Sequence, residues 1–192
     1  TCSESSQYFE QKAFLVVFQT AQEKRSGEMT TGALIKEMTA YYEGDPKRIQ
    51  HFLKVYAYAR TIGEEEGLDK ETQDILETAA VTHDIGIKLS ERKYNSSSGK
   101  YQEIEGPAEA EKMLTKLGCD RTKMERVCYL IGHHHTYQEI DGIDYQILVE
   151  ADFLVNLAEE HAKDTTVDSV RQKIFRTETG KFLLEKIFSK KS

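Results

Sequence analysis

The chain of 192 residues has no tryptophan, two prolines, three cysteines (Cys2, Cys119, Cys128) and no wholly apolar run longer than the six residues 13–18. Each shortage excludes something. A bilayer-spanning helix needs roughly 20 consecutive apolar residues, so no membrane partner is expected. The same run is too short, and its flank too poor in basic residues, for a secretory signal. An odd cysteine count with no C-x-x-C pair argues against a disulfide framework and for a reduced, cytoplasmic setting. Positive charge is not in excess either, since 26 Lys and Arg stand against 33 Asp and Glu, a formal charge of −7. That balance excludes duplex nucleic acid as the main partner, because backbone binding needs a positive surface. A G-x-x-x-x-G-K-S/T phosphate cradle is also missing, so this is not a P-loop nucleotide binder.

What is present is helix-forming. At 39% hydrophobic the chain can build a core, and scarce proline with abundant Glu, Lys, Ala and Leu predicts an all-α fold. Residues 7–24 read as a helix, although 14–18 fit a short strand equally well; residues 1–29 are taken as an extension packed on the body. Thr30 or Thr31 caps a helix to about Tyr42, and Asp45-Pro46 opens another to about Glu66. Asp69 caps a third that runs into His83-Asp84. Residues 91–104 read as a loop with its tip at 95–99, a candidate lid. Pro107 opens a helix to about Leu117, Thr122 one to about His135, and Asp144 one to about His161. Helices at 166–176 and 178–189 complete a single domain with a core at 30–161 and C-terminal helices at 162–192.

The chemistry-bearing residues lie on the apolar helices. His51 shares a face with Val55, Tyr58 and Ile62; His83 sits beside Asp84; His133, His134 and His135 are consecutive. Asp152 falls inside the apolar stripe Ile147, Leu148, Ala151, Val155. One such histidine is ordinarily a hydrogen-bonded core residue. Several buried imidazoles and a buried carboxylate together need partners, and one cation serves them all.

The order and spacing resemble the HD-domain superfamily of metal-dependent phosphohydrolases. The resemblance spans about residues 30–161 and rests on His51 within Arg48–Val55, on Thr82-His83-Asp84-Ile85-Gly86, on Ile131 through His135, and on Glu150-Ala151-Asp152. It implies a helical bundle with a metal site at its centre, held by His51, His83, Asp84 and Asp152. The ion would be iron, manganese, zinc, cobalt, nickel or magnesium, able to lower the pKa of bound water to about 7. By the same resemblance Asp84, Lys88 and His134 carry catalysis, with Asp84 the candidate base. Arg48, Lys88, His134 and His135 would bind substrate.

Departures from the pattern bear on the number of ions. Two-metal relatives carry histidine where this chain has Gln102, which makes a second ion doubtful unless Glu103 or Glu105 supplies an oxygen. Lys88 stands one place after the lysine of some relatives. Basic residues at 88, 92, 93 and 100, with Arg48, favour a small phosphorylated substrate such as a nucleotide. The alternatives are an HD-type di-iron oxygenase and a non-catalytic metal-binding regulatory protein. A homodimer remains open.

Overall fold

The computed structural model describes residues 29–189, so the expected extension lies, except for its last residue, outside the described residues. Those residues form nine helices and no strand: α1 (Thr31–Tyr41), α2 (Pro46–Glu65), α3 (Lys70–Thr82), α4 (Ile87–Tyr94), α5 (Gly99–Lys116), α6 (Arg121–Ile131), α7 (Ile143–Glu159), α8 (Asp164–Lys173) and α9 (Glu178–Ile187).

The first three begin where local chemistry dictates. The Thr30 hydroxyl accepts from the amide of Ala33, Asp45 from that of Arg48, and Asp69 from those of Glu71 and Thr72. These carboxylates and hydroxyls satisfy amides that a helix start leaves without partners. Proline follows Asp45 at the first helical position, where its missing N–H is not needed.

Two expectations need correction. The loop expected at 91–104 is mostly helical. Helix α4 runs to Tyr94, Asn95 turns in the left-handed region (φ 50°), and α5 already begins at Gly99, with Pro107 inside it rather than opening it. Gly106-Pro107 looks like a helix breaker, but the glycine serves packing. A Cβ at Gly106 would lie 2.6 Å from Ile131 Cγ2, and one at Gly86 would lie 2.6 Å from the Gln102 carbonyl oxygen. Side-chain-free backbone therefore lets α5 cross tightly against the turn after His83-Asp84. Stacked rings of Tyr94 and Tyr101, centroids 4.1 Å apart, staple the short connection. Basic residues expected in a loop thus stand on helices α4 and α5.

The second correction concerns the histidine triplet. Helix α6 stops at Ile131 with Gly132 as its cap, so His133, His134 and His135 form a turn rather than the end of a helix. Glu103 Oε1 holds that turn, accepting from the His135 amide and the Thr136 hydroxyl at 3.0 Å each. The Tyr145 hydroxyl bonds the carbonyl oxygens of His133 and Thr136. Both partners belong to other helices, Glu103 to α5 and Tyr145 to α7, and their bonds replace a further helical turn.

Helix α7 is the central element, packed against α2 and α3, with α6 beyond α3 and α5 bridging α4 and α6. Phe52, Val55, Leu76, Ile85, Leu148 and Leu154 are among its fully covered neighbours and own residues. The C-terminal helix is clamped to α7 by a buried carboxylate. Glu150 accepts from the amides of Arg176 and Thr177, from Gln146 Nε2 and from the Thr177 hydroxyl. No helix among the described residues is long and apolar enough to cross a membrane.

Candidate metal centre

Four segments meet where α2, α3 and α7 pack. His51 comes from the first half of α2, His83 from the end of α3, Asp84 from the turn that follows, and Asp152 from the middle of α7. His51, His83 and Asp152 are buried, while Asp84 is partly open to a cleft. His51 Nε2 lies 3.3 Å from His83 Nε2, 3.2 Å from Asp152 Oδ1 and 3.5 Å from Asp84 Oδ2. His83 Nε2 lies 3.5 Å from Asp84 Oδ2 and 3.6 Å from Asp152 Oδ1. The structure therefore gathers the expected ligand set into one cluster.

The other ring nitrogens decide which atoms face inward. His83 Nδ1 donates to the Ala80 carbonyl at 2.9 Å, His134 Nδ1 to the Ile131 carbonyl at 2.8 Å, and His51 Nδ1 to Glu159 Oε2 at 3.2 Å. Each partner can only accept, so each Nδ1 carries a hydrogen and each Nε2 is the nitrogen that presents a lone pair once the ring is neutral. Two such lone pairs at 3.3 Å, beside two carboxylates, repel unless positive charge lies among them. This is a donor set that fits a divalent cation.

The electrostatics agree. Burial opposes charge on His83, but Asp84 and Asp152 outweigh it and push the imidazole up to about 9. His51 is raised likewise: burial acts against it and the bond to Asp152 prevails. Burial would lift Asp84, yet His83, His134 and His51 hold it far below the usual carboxylate range. Asp152 is held low against burial by its bonds to His51 and His83. Positive charge is wanted here, whether as protons or as a metal ion.

A second group adjoins the first. His134, fully buried, has Nε2 at 3.6 Å from Asp84 Oδ1, and the ligand atoms of Asp84, His134 and His135 all lie within 4.8 Å of one another. His134 Nε2 and His135 Nε2 are buried without a hydrogen-bond partner. Burial and the neighbouring His134 depress His135 to about 4, so that ring is neutral. His133 points elsewhere, stacked on Tyr129. Gln102 is buried on the cleft wall, its Nε2 bonded to the Ser97 carbonyl at 2.8 Å. Neither neighbouring glutamate replaces it as a ligand. Glu103 anchors the histidine turn, and Glu105 pairs with Lys93 and Tyr94.

The cleft over the cluster has a volume of about 350 Å³. Its walls include His51, Asp84, Gln102, His135 and Asp152, together with Lys47 and Arg48 and the carboxylates of Asp45, Glu159 and Glu160. Arg48 is tied to Asp45 at 2.8 Å and to Glu91 at 2.6 Å. Of the candidate lid, Ser97 lines the cleft and Gly99 packs against the His135 ring. Lys88 is not brought to the site. Its Nζ donates to the Tyr41 carbonyl at 2.9 Å and lies over the Tyr41 ring, because position 88 faces α1.

Three contributors escaped sequence reading. Tyr42 donates to the Asp84 carbonyl at 2.6 Å and Tyr41 to that of Ile85 at 3.2 Å, so α1 pins the His-Asp turn. Glu159 orients His51. The one available signal was the seven-residue spacing of Asp152 and Glu159, which sets both on one face of a helix.

An all-α bundle with clustered imidazole and carboxylate groups on three of its helices and one turn defines a class of metal-binding hydrolase folds. The HD domain family matches residues 48–176, more than half of the chain, and the chain belongs to that family. The fold is also similar to a crystal structure described as a predicted HD superfamily hydrolase from an uncultured Thermotogales bacterium. That likeness has a TM-score of 0.62 and 21% identity, covering 88% of this chain and 91% of the other. Among curated proteins none matches.

Proposed function

We propose that this protein is a metal-dependent phosphohydrolase acting on a phosphate ester, that of a nucleotide or another small phosphorylated molecule. The observation that supports it best is the convergence of inward-facing imidazole nitrogens and two carboxylates at the floor of one cleft whose lining also carries Lys47 and Arg48. His51, His83, Asp84 and Asp152 would hold one divalent ion, with iron, manganese, zinc, cobalt, nickel and magnesium all compatible with mixed N/O donors. Bound there, such an ion supplies polarisation of a phosphoryl oxygen and a lowered pKa for water.

The chain's own groups have distinct tasks. Asp84 turns Oδ2 toward His51 and His83 and Oδ1 toward His134, so Oδ1 is placed to accept a proton. His134 Nε2, once protonated, donates to the phosphate or to the departing oxygen. Arg48 and Lys47 neutralise phosphate charge from the rim, Arg48 exchanging Glu91 or Asp45 for substrate. His135 lines the same wall. Lys88 has no part in this reading.

Phosphate release by metal-loaded protein, followed across nucleoside monophosphates and sugar phosphates, tests it. Release that a chelator abolishes and added metal restores is expected. Fully loaded protein that cleaves none of the panel would overturn the reading.

A second reading, HD-type di-iron oxygenase chemistry, is favoured by one observation: Asp84 is shared between the first cluster and His134 with His135. Two irons per chain and oxygen consumption would support it; one ion per chain would end it.

A further inference from the structure

Glu159 is the last residue of α7, and a carboxylate at that end of a helix meets the negative pole of the helix dipole. It is kept there by two cationic or donor groups from α2. His51 Nδ1 lies 3.2 Å from Oε2 and Lys54 Nζ 3.1 Å from Oε1. His51 and Lys54 are three residues apart and share one side of α2, just as Asp152 and Glu159 share one side of α7. The crossing of these helices therefore delivers a metal-ligand carboxylate and, about two turns later, a second carboxylate that reaches the back of the same imidazole.

The histidines of the centre differ in how their tautomers are set. His83 and His134 each bond a backbone carbonyl three residues earlier. His51 lies inside α2, and its Nδ1 turns to a charged side chain 108 residues away. A carbonyl is a fixed neutral acceptor, whereas a carboxylate adds negative charge that strengthens the imidazole as a donor to metal.

We infer that Glu159 is a positioning residue that fixes the His51 tautomer and strengthens His51 as a metal ligand, with Lys54 moderating the charge it delivers. The inference rests on the metal centre proposed above but not on its substrate. A carboxylate shared with an ammonium group gives less electron density to the imidazole than a free one. Removing Lys54 therefore acts in the opposite direction to removing Glu159. A strap that merely ties α2 to α7 predicts the same direction for both.

The test uses the full chain, stripped with a chelator and titrated with Co²⁺ alone, reading affinity by competition with a chromogenic chelator and geometry by the visible cobalt spectrum. Glu159→Ala is expected to weaken binding by about 10- to 100-fold and to alter the spectrum. Glu159→Gln, which still accepts from Nδ1 but carries no charge, restores the spectrum and leaves a loss of about three- to tenfold. Lys54→Met binds as tightly as wild type or more so. Thermal melts of the metal-free proteins establish folding, and the isosteric Gln variant carries the test if the Ala variant does not fold. Variants at position 159 that bind within twofold of wild type would overturn the inference, as would Lys54→Met weakening in step with Glu159→Ala. Wild-type protein that takes up no cobalt would instead overturn the metal centre itself.

Discussion

Gly86 touches the backbone of Gln102 so closely that a Cβ at Gly86 would sit 2.6 Å from the Gln102 carbonyl oxygen and 2.8 Å from the Gly106 nitrogen. The obstacles are backbone atoms of α5, which cannot swing aside as a flexible side chain can. Gly86→Ala must push α5 away from the His-Asp turn. A loss of about 1–3 kcal/mol, the ordinary effect of overpacking, is expected in urea denaturation. Metal affinity falls with it, because the displaced turn carries His83 and Asp84. An unchanged midpoint would show that α5 is not held at that crossing.

Lys88 and His83 offer a paired test of what the structure brings together. His83→Ala removes a buried ligand and is expected to abolish stoichiometric metal binding, read by elemental analysis after gel filtration. Lys88→Ala, whose ammonium group is engaged by Tyr41, leaves metal content and phosphate release within about twofold, since an exposed contact of this kind contributes little. A collapse of phosphate release in the lysine variant would restore Lys88 to the site.

Glu150 makes a prediction about the C-terminal helix. Its carboxylate accepts from two backbone amides and two side chains, in a position with no exposure to solvent. Glu150→Ala takes the acceptor from the Arg176 and Thr177 amides and the Thr177 hydroxyl, while Gln146 Nε2 keeps the Ile174 carbonyl. Because each unsatisfied buried group costs about 1–3 kcal/mol and the urea slope is about 1–3 kcal/mol/M, the midpoint should fall by about 1 M or more. Amide exchange in α9 should accelerate before that in α2. Uniform acceleration across both helices would argue that Glu150 is no local clamp.

The pH dependence follows from the directions of the shifts. In metal-free protein His83 is raised to about 9 against an unfolded value of about 6.5. Its contribution to stability is fully present below 6.5 and is lost as pH rises through 9. Asp84 and Asp152 are lowered, so their contribution is present above about 4 and is lost as pH falls below it. Metal needs the deprotonated imidazoles, and ligand binding adds stability in proportion to the logarithm of its effective affinity. The difference in melting temperature between metal-loaded and metal-free protein should therefore widen from about pH 6 to about pH 9. Calorimetry near neutral pH in buffers of different ionisation enthalpy should show protons released as metal binds. A gap independent of pH, with no proton release, would contradict this arrangement.

Much of the site is legible in the amino-acid sequence, for a reason particular residues make plain. Burying His51, His83 and Asp152 among apolar helices, with Asp84 beside them, is unfavourable without a shared cation, and the residue types and pattern carry that constraint. Asp45-Pro46 and Asp69 announce their helices because a cap acts within three residues of itself. The 91–104 segment misleads because Gly106-Pro107 is a breaker by local rules. Only its crossing with Gly86 and Ile131 turns the glycine into a packing residue inside α5. The histidine triplet leaves its helix for a similar reason: Glu103 and Tyr145, from other elements, hold it as a turn.

The amino-acid order alone determined an all-helical chain and where most helices start, and its resemblance to a known family singled out the imidazoles and carboxylates expected to share a positive charge. These follow from interactions a few residues long and from the free-energy cost of burying charge. Tertiary structure decided the rest: which ring nitrogen of each histidine faces the centre, that Glu159 stands behind His51, that Arg48 reaches the rim, and that Lys88 does not. Those outcomes depend on how α1, α2, α5 and α7 cross, and crossings are set by side chains dozens of residues apart.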